Sequence, residues 1–420
     1  MSMFEPRDRT RRITVPTRLE DVESFGPEDD AAHAGVPGDG AQRIWHEARR
    51  LYQTGLYPAL SLCVRRRGAT IIRRAIGHTS GNEPGVPIDS IRQPVHYDTP
   101  FCLFSASKAL TATVIHELDE RGLIRMDDPI AEFIPEFGAN GKKWVTVRHV
   151  LTHRAGIPNV AGTGDDVALL DKPEQIVDLL CRATPVSRPG RRLSYHAITG
   201  GFVLGEVVRR VTGQDIRSYF HERFAVPMGI PGLGYGVDPA RINEVAVNAT
   251  TGPEVPLLLR PIVQRALGIP FEEATRVSNL PIFLTSIVPA GNVVGNAWET
   301  ARFFEMLEQE GELDGHQILQ PRTVRRATVE SAYLEVDFTL GVPIRYGLGY
   351  MLGGERLSLF GRRTRHAFGH LGFMNVFAWA DPDRDTSVAL LTSGKPFLTP
   401  HMLQINRLLE TIGDVCRLDW

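Results

Sequence analysis

Two stretches of apolar alternation sit near opposite ends of the chain, and each is folded back on itself by a turn. Leu60, Leu62 and Val64 alternate with Ala59, Ser61 and Cys63, and the run turns at Arg66-Arg67-Gly68 into a second strand through Ile71 and Ile72. Far downstream, residues 373–380 and 386–392 flank Asp381-Pro382-Asp383-Arg384-Asp385 in the same manner. Period-two alternation bounded by turn residues is the signature of hairpins. A helical stripe accompanies each: Ile44, Ala48, Leu51 and Tyr52 before the first, stopping at Gly55, and Met402, Ile405, Leu408, Leu409 and Ile412 after the second. A lone hairpin is marginal in water. The two ends are therefore predicted to meet in one antiparallel sheet flanked by helices, an α/β (α+β) fold whose middle segment forms a mostly helical lobe. The expected division is a sheet domain from 41–122 and 325–420 and a helical domain, with substrate-pocket loops, from 123–324. Residues 1–40 are rich in charge, Pro and Gly, and read as an extension that is disordered or draped over the body.

Between the hairpins, caps and stops delimit the helices. Residues 109–118 read as a helix ending at Gly122; Thr146 is an N-cap before His149 and His153, with Gly156 as the stop; residues 198–211 form an apolar face ended by Gly213. Asn296-Ala297-Trp298-Glu299 has capping-box spacing and opens a helix through Phe303, Phe304 and Leu307. Residues 230–288 are the least regular, dense in Pro and Gly, and are expected to wall or lid a pocket. The Arg65-Arg66-Arg67 and Arg73-Arg74 runs read as solvated hairpin faces.

A chain of 420 residues exceeds what one core usually organises, which fits two lobes. Its 47 basic and 49 acidic residues leave a net charge of −2, so no bulk field favours nucleic acid or an anionic membrane, and small molecules are the expected partners. Oligomerisation stays open. Cys63, Cys102, Cys181 and Cys416 lack any C-x-x-C spacing, and His149 and His153 have no further clustered ligand, so reduced buried thiols and no metal are expected. The basic first residues precede no apolar run, and no later run has membrane-spanning length; a soluble, cytoplasmic protein is the expectation.

The chemistry centres on Ser105-Ala106-Ser107-Lys108. Residues three apart share a helix face, so the Lys108 amine can lie beside the Ser105 hydroxyl at a helix start that favours an anion. No G-x-S-x-G, H-E-x-x-H or phosphate-loop pattern competes. Two later stretches give context: Tyr195 in Leu193-Ser194-Tyr195-His196-Ala197, before a glycine-rich helix, and Phe368-Gly369-His370-Leu371-Gly372-Phe373 on a late strand.

The order Ser105-x-x-Lys108, Tyr195, His370-x-Gly372 resembles the serine β-lactamase and penicillin-binding protein superfamily, and most closely the class C β-lactamase-like family VIII carboxylesterases. Thr152-His153-Arg154-Ala155-Gly156, Pro289-Ala290-Gly291 and Tyr346-Gly347-Leu348-Gly349-Tyr350 resemble its intervening landmarks. The resemblance runs from about residue 55 to 395 and implies that Ser105 is acylated, that Lys108 and Tyr195 share its proton, and that the N–H groups of Ser105 and Phe373 form the oxyanion hole. His370, Leu371, Gly372 and His196 would line the substrate site, and no cofactor is implied. Many β-lactamases of this kind carry Lys where His370 stands and Asn where Ala197 stands. Both departures favour an uncharged ester over a β-lactam. An acyltransferase, a β-lactamase or D-amino-acid peptidase, and a non-catalytic binding protein on the same scaffold are the alternatives. Ser107 reads mainly as a small helix residue and Cys102 as a core cysteine.

Overall fold

The computed structural model describes residues 10–163, 165–398 and 400–418. Its centre is an antiparallel sheet of β1 (Glu23–Phe25), β2 (Ala59–Arg66), β3 (Ala69–Ser80), β4 (Ala332–Val336), β5 (Pro343–Tyr346), β6 (Met351–Leu352), β7 (Phe368–Gly372), β8 (Val376–Asp381) and β9 (Thr386–Thr392). With the short Gln93–Pro94 on β3 these make ten strands in the order β1-β3-β2-β9-β8-β7-β6-β5-β4. The two ends of the chain meet at β2 and β9, where Leu62 lies opposite Leu390 and Cys63 opposite Ala389. Arg67 and Gly68, both at positive φ, make the two-residue turn between β2 and β3.

The helices that bear on the site are α1 (Gly40–Gln53), α2 (Ser107–Glu120), α3 (Val147–Leu151), α4 (Pro173–Arg182), α5 (Thr199–Thr212), α6 (Ala297–Glu308) and α7 (His401–Val415). Side-chain size decides which goes where. Leu60, Leu62, Val64, Val388, Leu390, Phe377 and Trp379 present large groups to α1 and α7 on one face of the sheet. On the other face Ala59, Cys63, Ala378, Ala380 and Ala389 are small, and there α6 approaches closely through Ala297 and Ala301. Every residue of β2 is buried in consequence. The helical lobe packs α2, α4 and α5 around one apolar cluster, and α2 is buried along nearly its whole length between lobe and sheet.

Three predicted caps stand: Thr146 accepts from His149 N, Asn296 and Glu299 form the capping box of α6, and Gly213 ends α5 in the left-handed region. The stop expected at Gly156 falls earlier, since α3 ends at Leu151 and His153 already turns left-handed. All four cysteines are buried and unbridged. Among the described residues no helix is long and apolar enough to cross a membrane.

Of the two readings of the N-terminal extension, draped over the body is the one residues 10–40 show: they contribute β1 to the sheet edge, pairing Phe25 with Arg74. Two further expectations are corrected. Helix α6 belongs to the sheet's second face rather than to the helical lobe, because the small side chains there leave room for it. The arginine runs are not solvated faces: Arg65, Arg66 and Arg74 are buried, and Arg65 Nε meets Glu305 Oε2 of α6 at 2.7 Å. Period-two alternation on an isolated hairpin sends these residues to water; cover supplied from elsewhere in the chain reverses that.

Candidate active site

Ser105 sits where strand becomes helix. Phe101–Cys102 pairs with Val293–Gly295, the Leu103 N–H bonds the Val293 carbonyl at 2.8 Å, and a single 3-10 turn over Phe104–Ala106 leads into α2. Ser107 is fully buried and accepts from the Val293 N–H at 2.9 Å. It pins the turn and takes no place in the site. Phe104 is held at φ 47, a conformation that bulky residues rarely adopt. Facing it, β7 ends at Gly372, where an added Cβ would run into the Leu103 carbonyl. Only glycine lets the strand come this close, and Phe373 and Met374 follow at φ 42 and 68. The N–H of Phe373 makes no backbone hydrogen bond among the described residues.

One turn into α2, Lys108 Nζ lies 3.1 Å from Ser105 Oγ and also donates to the carbonyls of Ala197 at 2.6 Å and Ala290 at 3.0 Å. Gly201 allows α5 to press against Ala290, since a Cβ there would meet Ala290 at 2.6 Å. Burial pushes the Lys108 amine down to about 7, against the pull of two carbonyls that favour the ammonium. Tyr195 shares a hydrogen bond with Ser105, and burial raises its phenol well above its ordinary range. Its ring centroid is 4.8 Å from Lys108 Nζ. The Tyr195 N–H is anchored by fully buried Asp337, whose Oδ1 also accepts from Thr339 N and Leu340 N at 3.0 Å or less.

Three histidines surround this group, all buried and all held neutral. His370 Nδ1 donates to the Leu371 carbonyl at 2.7 Å, and burial with Lys108 nearby depresses the ring to about 3. His196, depressed to about 3 for the same reasons, accepts from Ile157 N at 3.3 Å. His153, at φ 56, lies 4.7 Å from the Tyr195 ring and accepts from the His196 N–H at 3.2 Å. His196 and His153 border a cavity of about 30 Å³ that Lys108, Gly200, Gly201 and Ala290 also line. His196, expected in the substrate wall, lines this cavity together with Lys108. Leu371 is half-buried and packs on the α1 and α7 side of the sheet.

Sequence reasoning brought Ser105, Lys108, Tyr195, His370 and Phe373 to this one place, and the structure adds residues it did not assign. His153 carried a signal in the His153-Arg154-Ala155-Gly156 resemblance but was weighed only as a metal ligand. Asp337 carried none, because what matters is what it touches.

The Beta-lactamase family model matches residues 48–410. The chain is 33% identical over 312 residues to the esterase/beta-lactamase LipL of Mycobacterium tuberculosis, covering 71% of this chain and 70% of that one. It is 28% identical over 263 residues to the esterase EstB of Burkholderia gladioli, covering 58% and 64%. A solved family VIII carboxylesterase superposes with a TM-score of 0.76 at 25% identity, over 91% of this chain and 99% of that one.

Proposed function

The chain belongs to the Beta-lactamase family, and from that premise we propose that it is a serine carboxylesterase working through an acyl-enzyme on Ser105. The observation that carries the reading is the 3.1 Å approach of Lys108 Nζ to Ser105 Oγ, with the amine brought to about 7 by burial. At neutral pH a large share of Lys108 is the free amine, while Tyr195 keeps its proton. Lys108 is then the base and Tyr195 the donor, titrating together as one coupled unit.

Ser105 Oγ attacks the ester carbonyl carbon and its proton passes to Lys108 Nζ. The tetrahedral oxyanion is held by the N–H groups of Ser105 and Phe373, charge stabilisation of a kind whose loss typically costs ~100-fold or more. The carbon–oxygen bond to the alcohol breaks as that oxygen takes a proton from Tyr195, which recovers one from Lys108. Water then attacks the acyl-serine with the same groups in reverse roles. Neutral His370 stands where a fixed cation would attract a substrate carboxylate, which favours an uncharged ester. The relatives named esterase support the same choice.

A fluorophosphonate probe is expected to label the chain and to spare Ser105→Ala. Short-chain p-nitrophenyl esters should be cleaved much faster than a chromogenic cephalosporin, and Tyr195→Phe should lower kcat by ~100-fold or more. Ser105-independent labelling, or the reverse substrate ranking, would sink the assignment.

A further inference from the structure

A second buried lysine lies on the far side of the Ser105 turn, outside the proton chemistry just described. Lys395 sits in the short strand Gly394–Pro396, fully buried. Its Nζ donates to the Thr392 carbonyl at 2.6 Å and stands 4.6 Å from the centroid of the Phe104 ring. Phe104 stacks on Phe373 with centroids 5.1 Å apart, and Phe373 stacks on Phe271 at 4.9 Å, both pairs within 18° of parallel. Phe397 closes the edge of Phe271 at 5.7 Å. A lysine amine, brought down by burial to about 7, followed by three parallel rings is a continuous column, and in its protonated form the amine is drawn to the aromatic face.

The two inner rings belong to Phe104 and Phe373, the residues held at φ 47 and 42. Such backbones persist only where their surroundings over-determine them. They also aim the two N–H groups assigned to the oxyanion, one on Phe373 and the other on the residue directly after Phe104. Fully buried Asn375 joins the two sides: its Nδ2 donates to the Pro396 carbonyl at 3.1 Å, and its own carbonyl accepts from Thr392 Oγ1 at 2.8 Å. The turn with Phe373 and the strand with Lys395 therefore move as one.

We propose that the column Lys395–Phe104–Phe373–Phe271 sets the spacing of the two oxyanion N–H groups, making Lys395 and Phe271 positioning residues for acyl transfer; this rests on the hydrolase reading above. Phe271 opens the short helix Phe271–Val277, preceded by the helix Arg260–Leu267, and the 255–277 stretch docks Val255, Leu259 and Val263 on the same cluster. Docking of that stretch and the geometry of the oxyanion hole are thereby one event.

The test uses the full chain with Phe271→Ala, Phe271→Tyr, Lys395→Met and Ser105→Ala. Measured are kcat and KM on a short p-nitrophenyl ester, the affinity for an alkyl boronic acid that forms a tetrahedral adduct on serine, and the melting temperature. Phe271→Ala and Lys395→Met are expected to lower kcat by about tenfold or more, with boronate affinity falling in parallel and KM within about threefold. Phe271→Tyr keeps the stacked ring and restores both. Should Lys395→Met not fold, the Phe271 pair decides. The column is overturned if Ser105→Ala is inactive while Phe271→Ala keeps kcat and boronate affinity within about twofold, or if Phe271→Tyr restores neither. A Ser105→Ala variant that still hydrolyses the ester overturns the hydrolase reading itself, and the column's role with it.

Discussion

Lys108 owes its state to burial rather than to a neighbouring charge, since desolvation is what brings the amine from 10.5 to about 7. The proposed base is the unprotonated amine, so ester hydrolysis (kcat/KM) should fall as the pH drops through about 7 and level off above it. A flat profile across that range would remove Lys108 from the role of base. The same shift fixes the sign of a stability effect. Between about 7 and 10.5 the unfolded chain carries a proton on Lys108 that the folded chain does not, so stability rises with pH across that window. Below about 7 the cost of burying this lysine is fully present; above 10.5 it is gone. In urea unfolding, the stability of the unsubstituted chain relative to Lys108→Met should therefore grow between neutral pH and about pH 10, by on the order of several kcal/mol. A pH-independent difference would mean that the amine keeps its ordinary value when folded. Only five of the 47 basic residues are lysine, and Lys108, Lys142 and Lys395 are the buried or largely buried ones among them. A guanidinium sheds neither its proton nor its planar fork, which suits surface pairs and not a titrating base.

At the scale of elements, the contact between β2 and α6 is where a buried ion pair joins chain segments far apart in sequence. Arg65 and Glu305 have side chains only 5% and 3% exposed, so neither charge can turn to water if its partner is lost. Arg65→Met should then cost roughly 3–5 kcal/mol in urea unfolding, while Arg65→Met with Glu305→Leu recovers most of it. If the double variant is no better than the single one, the arginine acts through its bonds to Gly68 and Thr70 instead. This pair also marks the limit of what the sequence disclosed. Alternation in Ala59–Arg66 identified a strand and its hairpin, because period and turn chemistry are local. It misplaced the arginines, because what covers them comes from elsewhere in the chain: Arg65 meets the helix that begins at Ala297, Arg66 the carbonyls of Gly35 and Arg417, and Arg74 the carboxylate of Glu28. The candidate site divides the same way. Ser105 and Lys108 are set by spacing on one helix; Tyr195 and His370 were legible through the resemblance of their flanks; Lys395 and Phe271 are ordinary residues until the fold stacks them on Phe104 and Phe373.

For the molecule as a whole, the open question of the sequence was the segment before residue 40, and its described part is bound along its length. Glu28 grips Arg74 through two bonds of 2.7 Å, Asp29 accepts from Thr70 N at 2.7 Å, and the Gly35 carbonyl accepts from Arg66. Ile13, Leu19, Ala34 and Val36 are buried. At the other end of the segment Arg11 exchanges backbone and side-chain bonds with Gly252 and lies 3.5 Å from Glu272, beside the phenylalanine that ends the aromatic column. Removal of residues 1–38 therefore has two consequences. It bares the edge of β3, an unpaired strand that invites association, and strips cover worth ~5 kcal/mol or more, so the variant should unfold at lower urea and self-associate in light scattering. Removal of residues 1–17 alone spares β1 and the Glu28–Arg74 pair but frees Glu272 from Arg11. That shorter variant should keep most of its unfolding free energy yet lose kcat by a few-fold, about as far as a loosened Phe271 disturbs the oxyanion geometry. Equal unfolding curves for the whole chain and the 1–38 deletion would return this segment to the status of a loose extension.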